Sequence, residues 1–289
     1  MAQAAAPGGA ELRGSGVTDP QAAPGAGEAP AIEARGIGIR FGGLEACSKF
    51  TLQLRSRELV GLIGPNGAGK TTIFNMLTGV YQPTEGEIRV QGRPVAGLKP
   101  FAISRLGVAR TFQNIRLFRD LTVLDNVRIG AHNRLVYGPL AAMIQGGVWS
   151  RAERETREQA MALLAIFGLE RRAEESARGL SYGDQRRLEI CRALASRPAV
   201  LLLDEPAAGM NTAEATGLME TIRRIRDEFR IAILLIEHNM EVVMSICERI
   251  LVLNYGRTIA EGPPGRIQQD PVVIAAYLGE PAATVETIR

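Results

Sequence analysis

The chain has 289 residues, 46% of them apolar and 22% charged, with a formal net charge of +3. That apolar content suffices for one large core or two modest ones, and no run approaches the about eighteen unbroken apolar residues of a membrane-spanning helix. The Arg-rich stretch from Arg151 to Arg187 is interleaved with glutamates, so it reads as a solvated helical face rather than a nucleic-acid footprint. Cys47, Cys191 and Cys247 stand far apart, which excludes a CxxC metal site and a disulfide framework and fits a reducing, cytosolic setting.

Residues 1–30 are rich in Ala, Gly and Pro and lack the apolar stretch of a secretory signal; they are expected to be a disordered tail. From Ala31 the pattern changes to short β-like runs, Ile37 to Phe41, Phe50 to Leu54 and Leu59 to Ile63, each bounded by turn residues. The last of these lacks strict alternation, as a strand buried on both faces should. It runs through a Gly-rich loop into a helix expected to begin near Lys70. Between about Leu121 and Pro198 the segments are amphipathic and charge-laced, notably Ala152 to Phe167 and Asp184 to Ala195, and read as a helical insertion. Continuous apolar runs return at Val200 to Leu203, Ile231 to Ile236 and Ile250 to Leu253, spaced for helical crossovers and hence for a mainly parallel sheet. Pro263 to Arg289 reads as one or two short helices.

Gly64-Pro65-Asn66-Gly67-Ala68-Gly69-Lys70-Thr71 fits G-x-x-x-x-G-K-[ST]. Its glycines let consecutive backbone N–H groups converge on phosphate oxygens. Lys70 adds a point charge for the β and γ phosphates, Thr71 a hydroxyl for Mg²⁺, and the following helix its positive end. Val200 to Leu203 leads into Asp204-Glu205, two carboxylates at the carboxyl end of a buried strand, where open α/β sheets bind ligands. Alone, such a pair marks a strand meeting solvent. Downstream of a phosphate loop it assigns Asp204 to the Mg²⁺ shell and Glu205 to the attacking water, whose positioning matters more than the basicity of its partner. The strand ending at Ile236 brings His238 to the same edge, within reach of Glu205 or a γ phosphate. His132 has no such company and is expected to pack or face solvent.

Leu180-Ser181-Tyr182-Gly183-Asp184 resembles the LSGGQ signature of ATP-binding-cassette ATPases, and the resemblance spans Ile32 to Glu280. It implies an α/β fold, a P-loop core with a mainly parallel sheet, an antiparallel β subdomain and an inserted helical subdomain at about 121–198. The cassette would occupy 31–280, with 281–289 a tail. In that family Phe41 stands where adenine is stacked, Gly64 to Thr72 hold the phosphates, Gln113 heads a loop that touches metal and attacking water, Ala208 to Asn211 form the loop after the catalytic glutamate, and His238 is a switch. The resemblance further implies that ATP is closed over by Ser181 and Gly183 of a second subunit, at the amino end of a helix whose dipole favours phosphate. Tyr182 and Asp184 depart from the signature, and Asn211 and Asn239 replace the usual aspartates; each Asn keeps hydrogen bonding and loses charge, which bears on communication between sites.

A narrower resemblance lies in Arg110 to Phe118, Leu180 to Ile190, Asp204 to Asn211, Tyr137 to Trp149 and the terminal Ala276 to Glu280. These are similar to ATP-binding subunits of bacterial branched-chain amino-acid importers. The implied partners are a second, related ATPase chain, two membrane permeases and, indirectly, a periplasmic solute-binding protein, at the cytoplasmic face of the inner membrane. The surface around Gln113 to Leu121 would receive a short permease helix, although Phe118 and Leu121 also read as ordinary packing. Related urea or amide importers, lipid exporters, a soluble cassette acting on nucleic acid or ribosomes, and a non-hydrolysing regulatory cassette are the alternatives.

Overall fold

The computed structural model describes residues 29–131 and 147–278. Most of the tail expected at 1–30, His132, residues 137–146 of the Tyr137 to Trp149 segment, and everything from Gly279, the 281–289 tail included, lie outside them. Ten strands are described: β1 (Ile32–Phe41), β2 (Leu44–Leu54), β3 (Leu59–Ile63), β4 (Glu85–Val90), β5 (Arg93–Pro94), β6 (Val108–Arg110), β7 (Val200–Asp204), β8 (Ala232–Ile236), β9 (Arg249–Asn254) and β10 (Arg257–Gly262). Around them run α1 (Lys70–Leu77), α2 (Pro100–Arg105), α3 (Val123–Ala131), α4 (Gly147–Ile166), α5 (Tyr182–Ala195), α6 (Thr212–Phe229), α7 (Met240–Ile246), α8 (Pro264–Ile267) and α9 (Pro271–Leu278).

A six-stranded sheet has the order β10-β9-β3-β8-β7-β6 and is parallel except at β10. A second, antiparallel sheet has the order β2-β1-β4-β5. Strands β3, β7 and β8 are buried along their whole length, the reason they read as unbroken apolar runs rather than alternations. Their side chains still divide by the period of two. Leu59, Ile63, Leu201, Leu203, Ile233 and Leu235 enter one core with α3 to α7. Val60, Leu62, Val200, Leu202, Leu234 and Ile236 enter the other, with Ile73, Phe74 and Leu77 of α1 and the inner face of the antiparallel sheet. The parallel sheet is thus the shared wall of two cores.

Several boundaries differ from expectation. Strand β1 begins at Ile32 rather than Ile37 because the chain absorbs Gly36, with φ of 56°, in a register shift within the strand instead of ending there. A Cβ on Gly38 would sit 2.2 Å from Oε1 of the exposed Glu85 side chain, so glycine leaves room for that side chain where β4 approaches. Strands β4, β5, β6 and β10 are short or polar and give no apolar run. Helix α4 starts five residues earlier than the charge pattern indicated, at Gly147 rather than Ala152.

In the helical region α3 lies directly against α5. A Cβ on Gly130 would fall 2.1 Å from the Arg192 carbonyl oxygen, a rigid backbone atom that cannot rotate away. Gly130→Ala is therefore expected to destabilise the chain by about 1–3 kcal/mol through overpacking, read as a lower urea midpoint with an unchanged denaturant slope; an unchanged midpoint would contradict this contact.

Candidate functional site

Four adjacent parallel strands deliver the chemistry to one edge. The phosphate loop leaves β3, Gln113 follows β6, Asp204 and Glu205 end β7, and His238 follows β8. Because the strands are paired in parallel, their carboxyl ends coincide, and the sheet itself sets the spacing.

In the loop, Gly64, Gly67 and Gly69 have φ of 149°, 78° and 102°. At Gly64 a Cβ would lie 2.1 Å from the Leu253 carbonyl oxygen, so the position requires glycine on grounds of space as well as dihedral. The far side of the loop is tied to the β9–β10 turn by Gly256 N–H donating to Ala68 O at 2.8 Å. Helix α1 then opens with no side-chain cap and no acidic residue in its first turn, leaving its amino end suited to an anion. Lys70 Nζ folds back to donate to Gly64 O at 2.6 Å and Pro65 O at 2.9 Å. Burial pulls the Lys70 pKa below its ordinary value, opposed by Glu205 and Asp204.

A cleft of about 290 Å³ is lined by Asn66 to Thr72 together with Gln113, Glu205 and His238. Glu205 sits at its centre of contacts: Oε1 meets His238 Nε2 at 2.5 Å, and Oε2 accepts from Gln113 Nε2 at 3.2 Å. The Glu205 backbone is left-handed, with φ of 49°, a conformation costing about 1–3 kcal/mol for a non-glycine residue. It is held there by Glu205 N–H donating to Ile236 O at 2.9 Å and by Ala208 N–H donating to Glu205 O at 3.2 Å.

The other expected residues lie apart from this cleft. Asp204 is buried behind it, with Oδ2 paired to Arg110 Nη2 at 2.8 Å; Arg110 also donates to Asn75 Oδ1 at 2.7 Å. Phe41, at the β1–β2 turn, is 44% exposed and meets Tyr81 edge-on, with ring centroids 5.1 Å apart. Ser181 caps α5, its Oγ accepting from Asp184 N–H at 3.2 Å. Gly183 faces the start of α6, where a Cβ would make only ordinary contact with Glu214. Asn211 and Asn239 are both helix caps: Asn211 forms a capping box with Glu214, and Asn239 Oδ1 accepts from Glu241 and Val242 N–H.

Sequence reasoning gave no role to the residues that hold the loops. Arg186 is almost wholly buried, pairs with Glu189 at 3.1 Å, and donates to the carbonyls of both Phe112 and Gln113. Glu189 in turn accepts from Arg116 N–H at 3.2 Å. Asn126, fully buried, grips Phe118 through its backbone N–H and C=O at 2.9 and 3.0 Å. The loop carrying Gln113 is therefore fastened to the helical region by side chains, and only their burial, invisible in sequence, marks them. Glu237 is likewise buried, and burial raises its carboxyl pKa.

The donor set suits hard oxygen chemistry. Thr71 brings a hydroxyl, Gln113 an amide oxygen, and Asp204 a carboxylate of which Arg110 takes Oδ2. Such oxygens fit Mg²⁺.

Comparisons with known proteins agree with this geometry. The family model described as ABC transporter matches residues 47–208, and that described as branched-chain amino acid ATP-binding cassette transporter matches 257–283. The chain is 47% identical over 251 residues to the high-affinity branched-chain amino acid transport ATP-binding protein LivG of Salmonella typhimurium, covering 87% of this chain and 98% of that protein. It is equally 47% identical, with the same coverage, to BraF of Pseudomonas aeruginosa, a protein of the same description. Among solved structures, the ADP conformation of MJ1267, an ATP-binding cassette of an ABC transporter, superposes with a TM-score of 0.75 at 28% identity, covering 86% of this chain and 99% of that one. The phosphate loop, the Glu205 cluster and these likenesses converge: the chain belongs to the ABC transporter family and is one of its ATP-binding, ATP-hydrolysing cassettes.

Proposed function

We propose that this cassette powers a bacterial importer of branched-chain amino acids, hydrolysing ATP at the edge where β3, β8, β7 and β6 end. The observation that supports the hydrolytic reading most strongly is Glu205, held between Gln113 and His238 and beside the phosphate loop. The solute class rests on the relatives' names and on the terminal family match, since no residue of this chain would touch the solute.

In this reading the backbone amides of Asn66 to Thr72 and Lys70 bind the β and γ phosphates. Lys70 exchanges its two carbonyl partners for phosphate oxygens, which suits a buried ammonium better. Phe41 offers its exposed face to adenine. Thr71, Gln113 and, through water, Asp204 would hold Mg²⁺, which would neutralise charge on the β and γ phosphates. Glu205 accepts a hydrogen bond from the water that attacks phosphorus. His238 fixes the Glu205 carboxylate and reaches toward the γ phosphate, while Gln113 limits the water's orientation. The transition state asks for placement of groups rather than strong basicity.

Ser181 and Gly183 are committed here to the start of α5 and would serve the ATP of a second, related ATPase subunit, whose own signature would close this site. Among the described residues no helix is long and apolar enough to cross a membrane. From the relatives' names as transport ATP-binding proteins, coupling is assigned to two permease subunits at the cytoplasmic face of the inner membrane. A cleft of about 490 Å³ bordered by Phe112, Arg116, Phe118, Ile129 and Arg192 adjoins the Gln113 loop and fits a short permease helix. A periplasmic solute-binding protein would deliver the amino acid.

Glu205→Gln is expected to bind ATP with near-normal affinity and to slow turnover by about a hundredfold or more, measured as phosphate release against nucleotide binding; turnover at the parent rate would remove Glu205 from its role. Lys70→Met should weaken ATP binding by about a hundredfold. The sign of its effect on stability is distinct. A lysine whose folded pKa is lowered binds its proton less tightly folded than unfolded, so below that pKa the charge opposes folding. The opposition fades as pH rises through the ordinary 10.5. At neutral pH the nucleotide-free Lys70→Met chain should therefore melt no lower than the parent; a clear fall in Tm would show that the two carbonyl bonds outweigh burial of the ammonium.

A further inference from the structure

The Glu205–His238 contact joins two loops from neighbouring strands, and a second carboxylate lies under both of them. Glu237 is the first residue beyond β8 and only 4% exposed. Its Oε1 accepts from Ala207 N–H at 2.8 Å, and its Oε2 accepts from the N–H of His238 at 3.2 Å. Burial is the main cause of its raised carboxyl pKa; neighbouring Glu205 adds to it, while the N–H groups of Ala207, His238 and Asn239 oppose it. A buried carboxylate beside a second one is costly in any fold. Here each oxygen is matched to a backbone donor on a different side of the site.

Those two donors define what Glu237 controls. Ala207 stands two residues beyond Glu205, in the turn that holds Glu205 left-handed and continues to the Asn211 cap of α6; Met210 N–H donates to Ala207 O at 3.1 Å. Along that turn Gly209, with φ of 77°, lies against the Tyr182 ring at the start of α5. On the other side, the His238 backbone lies between Glu237 and the Asn239 cap of α7. The Glu205–His238 contact and the bond from Glu205 N–H to Ile236 O join the same two loops; Glu237 differs in holding both backbones with one side chain.

We propose that Glu237 is a positioning residue that locks the turn after Glu205 to the His238 loop, so that the carboxylate and imidazole meet in one geometry and move as a unit. This rests on the hydrolytic reading of Glu205 and His238 and adds the element that sets their separation. It also places the 207–210 turn, Tyr182 and the histidine on one mechanical path, through contacts already present in a single chain.

The test uses the full chain with MgATP and the variants Glu237→Ala and Glu237→Gln. Glutamine keeps one oxygen for Ala207 N–H but turns a donor toward His238 N–H, so it should rescue in part. Glu237→Ala should lower kcat by about ten- to hundredfold with KM and nucleotide Kd changed less than about twofold, and Glu237→Gln should fall between it and the parent. An equal loss in both variants that follows the folded fraction, or an unchanged kcat in Glu237→Ala, overturns the proposal. A second readout is independent of turnover. The sequence has 2 histidines, so a His132→Gln background leaves a single imidazole signal for NMR, and Glu237→Ala should shift and broaden it while Glu205→Gln shifts it without broadening. If the parent hydrolyses nothing, the hydrolytic reading fails on its own and the imidazole signal still decides the role of Glu237. A His238 signal identical in Glu237→Ala and parent refutes that role whatever the turnover.

Discussion

Parallel pairing of β3, β8, β7 and β6 is the constraint on which the rest depends. It requires the strands to be buried on both faces, which fixes their apolar content, and it brings their carboxyl ends to one edge. Leu62 pairs with Ile236, and Asp204 with Ile236 as well, so the phosphate loop, Glu205 and His238 emerge within one or two residues of a common line. No loop has to search for the others. The chemistry is set by register, and loops only refine it.

The refinements each leave a cost in the folded chain. Glu205 adopts a left-handed backbone, Lys70 is buried with its charge, and Glu237 is a buried carboxylate next to another. Folding alone would select against all three, and a protein that keeps them places them together at the ligand edge. The same economy appears in the helical region, where the buried Arg186–Glu189 pair spends its hydrogen bonds on the backbone from Phe112 to Arg116. Movement of α5 is thereby tied to Gln113 and through it to Glu205. The signature end of α5 and the hydrolytic centre of the same chain are linked by contacts that can be enumerated.

Much of the site was readable in sequence because its demands are local. A left-handed loop needs glycines at fixed offsets, and an ammonium and a hydroxyl must follow at the helix start, so Gly64 to Thr72 declare themselves. Leu59–Ile63, Ala232–Ile236 and the Val200 to Leu203 part of β7 declare themselves because burial on both faces excludes unpaired polar side chains, Asp204 at the end of β7 being paired with Arg110. Strands β4 and β10 do not, since each leaves much of its length facing solvent. Arg110, Arg186, Asn126 and Glu237 were hidden for a different reason. Their importance lies in partners away from them in sequence, tens of residues for Arg110 and Asp204 and eight for Asn126 and Phe118, and no periodicity carries that information. Asn211 and Asn239 show the converse: substitution of an expected aspartate proves compatible with helix capping, a duty either residue performs.

In the proposed function the edge formed by these strands receives a triphosphate by exchanging internal hydrogen bonds for phosphate contacts. The most direct test is a structure of the full chain with a non-hydrolysable ATP analogue and Mg²⁺. Lys70 Nζ is expected to leave the Gly64 and Pro65 carbonyls for phosphate oxygens, with the γ phosphate beside Glu205, Gln113 and His238. A γ phosphate bound away from these three residues, with Lys70 still on its two carbonyls, would contradict it.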